Sequence, residues 1–183
     1  SEIENTVQAV VGSLGEIDIL ANMPGYVELE SAEAIGIDIV ERHIAINAVG
    51  VFRMCQAVAN QMIKQGKGGK IVCVTSQAAF IAIDKHVGYT MSKAALVGMI
   101  KVCALEWAEF GINVNGVAPT VVNTYMGDKA WQGQVKIDMI NSIPAHRFAE
   151  TDEIAAAVLF LSCDESNMIT GEDLVVDGGF TIK

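Results

Sequence analysis

The sequence predicts an α/β fold in which crossover helices link the strands of a parallel sheet, and two observations carry that expectation. Short apolar runs ending in small residues alternate with longer stretches of helical periodicity, the pattern of strands buried on both faces and of the helices between them. The chain has 183 residues, 51% of them hydrophobic, which suits one domain around one core and excludes a disordered or linker-like chain.

Taken in order, the strands fall at 17–22, 70–75, 112–118 and 173–176. Helical periodicity covers 3–13, occurs twice within 33–64, and returns over 88–109, where Met91, Ala95, Met99, Val102 and Leu105 share one stripe. A further helix covers 152–162, with Thr151 as its expected N-cap. The stretch 120–147, with Gly127, Gly133 and Pro144, is the least regular and is expected to form a mobile loop. The cluster Gly66, Gly68 and Gly69 follows a helix and precedes a strand, so it reads as a helix C-cap and turn. A phosphate cradle needs the opposite order.

A formal net charge of −10 repels phosphate backbones and anionic membranes, so neither nucleic acid nor a membrane is an expected partner. The longest run free of polar side chains, 154–161, falls far short of the about 20 apolar residues of a membrane span. The opening Ser1, Glu2, Ile3 and Glu4 are acidic where a secretory signal is basic and then apolar. Cys55, Cys73, Cys103 and Cys163 form no CxxC pair and read as thiols of a reducing, cytoplasmic compartment. His43, His86 and His146 show no metal-ligand spacing, so no metal is expected.

Tyr89 and Lys93 lie four apart in a helical stretch and so emerge on one face, one turn apart. The pair fits an exposed helix surface, or a phenol whose pKa a neighbouring ammonium lowers toward the range of proton exchange with an alcohol or carbonyl. Ser76 precedes Tyr89 by thirteen residues at the carboxyl end of a strand, where α/β sheets hold ligands. Its hydroxyl either caps a turn or bonds a substrate oxygen. Asn47 interrupts an apolar helical stretch and is either a satisfied core amide or a functional one. His86 is either an exposed loop histidine or a hydrogen-bonding group beside the pocket.

These residues, with their surroundings, resemble the short-chain dehydrogenase/reductase family over essentially all of residues 3–183. The family's LxNNAG segment is similar to Leu20-Ala21-Asn22-Met23-Pro24-Gly25, and its PGxxxT loop to Pro119-Thr120-Val121-Val122-Asn123-Thr124. The closing segments resemble Ile143-Pro144, Arg147, Glu153-Ile154-Ala155, Thr170-Gly171 and Val176-Asp177-Gly178-Gly179. The resemblance implies a Rossmann-like parallel sheet with helices on both faces, truncated at the N-terminus. It implies an NAD- or NADP-dependent oxidoreductase in which Tyr89 is the general acid/base, Lys93 lowers its pKa and binds the nicotinamide ribose, Ser76 orients the substrate oxygen, and Asn47 holds a water of a proton relay. Asn22, Gly25, Pro119, Val122 and Thr124 join Tyr89 and Lys93 as implied cofactor contacts. Met23, Pro24 and Thr120 depart from the pattern: a polar anchor and a backbone donor are lost beside the cofactor, and side-chain bulk is added to the loop.

The family's first strands, with their TGxxxGxG turn, have no counterpart here, so the chain is expected to be a fragment or a truncated relative. The loop and the ending Asp177-Gly178-Gly179-Phe180 resemble polyol and sugar-alcohol dehydrogenases, implying a small alcohol, polyol or carbonyl as substrate; 3-oxoacyl reduction, or a non-catalytic assembly subunit, is the alternative. A homo-oligomer, dimer or tetramer, is expected through the helices at 38–64 and 88–109. Segment 17–22 forms a sheet edge that a partner, or further polypeptide, would cover.

Overall fold

The computed structural model describes residues 1–124, 127 and 131–183. Four parallel strands, β1 (Ile19–Asn22), β2 (Gly69–Val74), β3 (Ile112–Pro119) and β4 (Asp173–Val176), lie side by side in the order of the sequence. Their register aligns Ile19 with Lys70, Gly69 with Ile112, and Gly116 with Asp173. The four strands match the sequence-based ranges closely because both faces of the sheet are covered, which leaves the strands as short apolar runs.

On one face lie α1 (Glu2–Leu14), α3 (Val51–Gln65) and α4 (Val87–Trp107), whose Val7, Val58, Met62, Leu96 and Ile100 pack on Ile71, Cys73, Ile112 and Val114. On the other, α6 (Thr151–Ser162) sets Ile154 and Leu161 against Val72, Val117 and Leu174. Val72 and its neighbours Ile71 and Cys73 thus serve opposite layers, as pleating requires. Between β1 and β2, α2 (Ile37–His43) runs through a π-helical segment, Ile44–Gly50, straight into α3. Gly66, with φ of 69°, ends α3 as the expected left-handed C-cap. Cys55, Cys73 and Cys103 are buried free thiols, while Cys163 is half-buried.

Two expectations need correction, those for 120–147 and for the N-cap of α6; the structure also shows which way the α4 stripe faces. Met91, Val102 and Leu105 point outward, at 50%, 54% and 80% exposure, while Met99 packs against the core. The buried face carries Ser92, Lys93, Leu96, Ile100, Cys103 and Ala104, because α4 is apolar on both sides and periodicity alone does not say which side packs. Within 120–147 a helix, α5 (Gly133–Ser142), forms. Gly133 and Pro144 bracket it instead of breaking it, and Met139, Ile143 and Phe148 make a small core of their own with Trp131. Residues 125, 126 and 128–130 of that stretch lie outside the described residues. Finally, Glu150, not Thr151, is the N-cap of α6. Its amide donates to Glu153 Oε2 at 2.8 Å, and Arg147 holds Glu153 through two bonds of 2.7 and 2.6 Å. Among the described residues no helix is long and apolar enough to cross a membrane.

Candidate active site

The carboxyl ends of β2 and β3 open into a cleft of about 400 Å³. Its floor is Val74–Ser76 and Pro119–Thr120. One wall is the start of α4, with His86, Tyr89 and Lys93, and the other is the loop after β1, with Gly25, Val27 and Leu29. Val122, Thr124 and Trp131 close the third side. Eight of the expected site residues (Gly25, Ser76, His86, Tyr89, Lys93, Pro119, Val122 and Thr124) therefore line one cavity.

Lys93 enters this cavity from the buried face of α4 and is only 2% exposed. Its Nζ donates to Val74 O at 2.9 Å and, more weakly, to Pro24 O at 3.5 Å; no carboxylate of the described residues is bonded to it. Burial drives its pKa down to about 8, because an ammonium loses solvation that two carbonyls do not replace. Its Nζ stands 5.8 Å from the centre of the Tyr89 ring. The Tyr89 phenol is shifted upward, not downward as expected: burial favours the neutral form, and a hydrogen bond from Ser76, which favours the phenolate, offsets only part of this. Ser76 plays one of the two roles left open for it and is placed within reach of the other. Its Oγ caps the short turn Gln77–Ala79 by accepting from Ala78 N at 3.1 Å, and it faces the cleft beside Tyr89. His86 sits at the mouth, its ring 6.0 Å from that of Tyr89 in an edge-on contact.

Two expected site residues do not line the cavity. Asn22 is buried and turns its amide to Val51 O and Cys55 Sγ, at 3.1 and 3.3 Å, because it is the last residue of β1 and its side chain falls on the α3 face. Asn47, fully buried in the π-helical segment, spends its side chain on structure. Its Oδ1 accepts from Tyr26 N at 2.8 Å, and its Nδ2 donates to Tyr26 O at 2.8 Å and to Ser92 Oγ at 3.0 Å. Ser92 in turn donates to Tyr89 O at 2.7 Å. Asn47 therefore ties the loop wall to the helical turn that carries Tyr89.

Sequence inspection missed three contributors and took a fourth, Thr120, only as added bulk on its loop. His43, one helical turn before Asn47, is fully buried with both nitrogens engaged: Nδ1 bonds Ile39 O at 2.8 Å and Nε2 accepts from Glu28 N at 3.1 Å. That pairing fixes the neutral tautomer and pins the wall loop between Val27 and Leu29. Gly88 leaves room for the ring, since a Cβ there would lie 2.9 Å from His43 Nδ1. The other three are Gln77, Thr120 and Asp173. Among the described residues these hold the three buried side-chain atoms without a hydrogen-bond partner: Gln77 Oε1, Thr120 Oγ1 and Asp173 Oδ2. Gln77 and Thr120 line the cleft. Buried polar atoms are normally paired, so such a concentration around one cavity marks a place built for a polar occupant.

The residues present fit the nicotinamide end of a dinucleotide. The cleft lies where open α/β sheets take nucleotides, beyond the carboxyl ends of the strands. At its base the Lys93 ammonium, held among the described residues by backbone carbonyls alone, has donor capacity for ribose hydroxyls. Among the described residues no strand, glycine-rich turn and helix follow one another in the order that cradles a pyrophosphate.

Comparison with known proteins agrees with this architecture. A family model described as enoyl-(acyl carrier protein) reductase matches residues 1–181. An NAD-dependent glycerol dehydrogenase of Listeria innocua is 49% identical over 99% of this chain and 71% of its own length. A D-threitol dehydrogenase of Mycolicibacterium smegmatis is 46% identical over the whole chain and 70% of its own length. In three dimensions, a gluconate 5-dehydrogenase of Burkholderia cenocepacia in complex with NADP and tartrate superimposes with a TM-score of 0.94 at 30% identity, covering 99% of this chain and 71% of that one. A cleft with a buried lysine beneath a tyrosine one turn earlier and a serine at the strand end, on a sheet that matches these relatives along its whole length, has one conclusion: the chain belongs to the short-chain dehydrogenase/reductase family.

Proposed function

We propose that this chain is the catalytic part of an NAD- or NADP-dependent oxidoreductase that interconverts a small polyol or sugar alcohol and its ketone or aldehyde. The observation that carries this is the convergence of Ser76, Tyr89 and buried Lys93 on one cavity, with unpartnered polar atoms of Gln77 and Thr120 beside them. A bound nicotinamide supplies or accepts the hydride. Tyr89 passes its phenolic proton to the carbonyl oxygen during reduction and takes it back from the hydroxyl during oxidation. Ser76 donates a hydrogen bond to the same oxygen and holds it within reach of the phenol. Lys93, anchored on Val74 O, directs its remaining donors to the ribose and sets a positive charge below the tyrosine. Gln77 Oε1 accepts only, so it selects a ligand that donates: a second hydroxyl, which a polyol has and an aliphatic acyl chain lacks. His86 at the mouth adds a further hydrogen-bonding group.

The test is turnover of glycerol, threitol and xylitol with NAD and NADP, together with quenching or enhancement of NADH fluorescence on binding. No response to millimolar NADH or NADPH in fluorescence or melting temperature would defeat the proposal for this chain. Gln77→Met removes the acceptor and keeps the bulk. Its KM for polyols is expected to rise by about tenfold or more while its rate with a simple monohydroxy alcohol stays unchanged, and equal effects on both would remove Gln77 from substrate selection.

Assembly and compartment follow the same logic. Met91, Val102 and Leu105 on α4 and Phe52 on α3 expose apolar surface that a second copy would bury, and Ile19 on the edge strand β1 is 50% exposed. These features support a homo-oligomer, which sedimentation would read directly. The free, buried Cys55, Cys73 and Cys103 support a cytoplasmic setting.

A further inference from the structure

Asp173 does not line the cleft and takes no step in the proposed reaction, yet its placement is costly enough to need a reason. It opens β4, opposite Gly116 of β3, and its carboxyl lies across that glycine: a Cβ at position 116 would come within 2.6 Å of Cγ and Oδ1. Oδ1 accepts from Thr75 Oγ1 at 2.8 Å, whereas Oδ2 is buried without any partner. Thr75 follows Val74, whose carbonyl holds Lys93 Nζ at 2.9 Å, so the carboxylate and the ammonium are fastened to adjacent residues at the end of one strand. A carboxylate with one oxygen unsatisfied is destabilising unless its charge serves something nearby.

We infer that Asp173 is a positioning residue for Lys93: its carboxylate, anchored on the Thr75 hydroxyl, keeps the lysine charged in a pocket that gives it only carbonyl oxygens. This rests on Lys93 being the lysine that serves catalysis. The charged and titratable groups around the two are few. Asp173 faces the ammonium groups of Lys93 and Lys101 on α4, which favour its ionised form, and its own neighbour Glu172, which opposes it. Lys93 faces Asp173, the Tyr89 phenol on its own helix, which burial keeps neutral, and the Cys73 thiol on β2, which burial and Cys55 keep neutral. Asp173 is thus the one group among these that offers Lys93 a negative charge at neutral pH. Burial raises its carboxyl to about 6, so that charge is present above pH 6 and fades as the pH falls through that value. The Lys93 ammonium, at about 8, is then supported over the window from 6 to 8.

The inference is tested by titrating the cofactor-free chain with 13C-labelled lysine and aspartate, the Lys93 signal being identified by its absence in Lys93→Met. Asp173→Asn keeps an acceptor for Thr75 and removes the charge. The Lys93 midpoint is expected to fall by about half a unit to one unit, the size of a like-distance charge effect at an intermediate dielectric. By reciprocity, Lys93→Met should raise the Asp173 midpoint by a similar amount, which serves as the second measurement if Asp173→Asn does not fold. A purely structural Asp173 would lower the melting temperature of Asp173→Asn and leave the Lys93 midpoint within about 0.2 unit, and that result overturns the inference. In turnover, the alkaline limb of kcat/KM for Asp173→Asn should move down by the same amount as the Lys93 midpoint. Shifted midpoints combined with full dinucleotide binding by Lys93→Ala would uphold the coupling and defeat the proposed function. Unshifted midpoints with binding lost in Lys93→Ala would do the reverse.

Discussion

Tyr89→Phe is expected to lower kcat by about 10²- to 10⁴-fold in either direction of the reaction while leaving the fold and dinucleotide binding intact. The substitution removes one hydroxyl and keeps the ring, so the edge-on contacts of that ring with His43 and His86, at 6.4 and 6.0 Å between centroids, survive. What is lost is the proton that must reach the carbonyl oxygen. The phenol is shifted above its ordinary value by burial, so in the cofactor-free chain it is fully protonated at neutral pH and ready to act as an acid. The oxidative direction needs the phenolate, so below the Lys93 midpoint of about 8 alcohol oxidation should climb with pH while carbonyl reduction stays flat, and above it loss of the ammonium should lower both. Stopped-flow measurement of both directions from pH 6 to 10 reads this asymmetry. A Tyr89→Phe rate within about tenfold of the parent would remove the tyrosine from the chemistry, since a positioned acid–base group contributes more than that.

What the sequence disclosed about this site follows from which physical signals are local. The strands were legible because a strand buried on both faces is an uninterrupted apolar run, and Tyr89 and Lys93 were legible because a spacing of four needs only helix geometry to put them on one face. Three-dimensional facts were not legible. The direction in which α4 faces is decided by β3, α2 and the π-helical segment on which it packs, so the outward stripe of Met91 and Leu105 had the same periodicity as an inward one. The upward shift of Tyr89 depends on how deeply its phenol sits, which no spacing encodes. Asp173 and Thr75 meet across β3, 98 residues apart in the chain, and His43 acquires its tautomer from a backbone amide in a loop fifteen residues away.

Asn47 illustrates the same point and yields the largest expected effect on stability. Read along the chain, it was an amide in an apolar helix, compatible with a core role or with a water of a proton relay. In the fold both hydrogens of its amide nitrogen and one lone pair of its oxygen are engaged: they clasp Tyr26 at both its N–H and its C=O and reach Ser92, which holds the Tyr89 carbonyl. The π-helical turn that surrounds it, Ile44–Gly50, widens the helix at the point where the side chain must reach two neighbours at once. Asn47→Ala deletes three buried hydrogen bonds and strands the Tyr26 amide and carbonyl and the Ser92 hydroxyl without their partner. The expected loss is about 3 kcal/mol, at roughly 1 kcal/mol for each bond, or a melting point lower by roughly 6–12 °C for a chain of this size. Turnover should suffer as well, through a loosened loop wall: KM is expected to rise more than kcat falls, because Val27 and Leu29 lose their anchor while Ser76, Tyr89 and Lys93 keep theirs. An Asn47→Ala protein with an unchanged melting temperature and a collapsed kcat would assign the residue to the proton relay and not to the clasp.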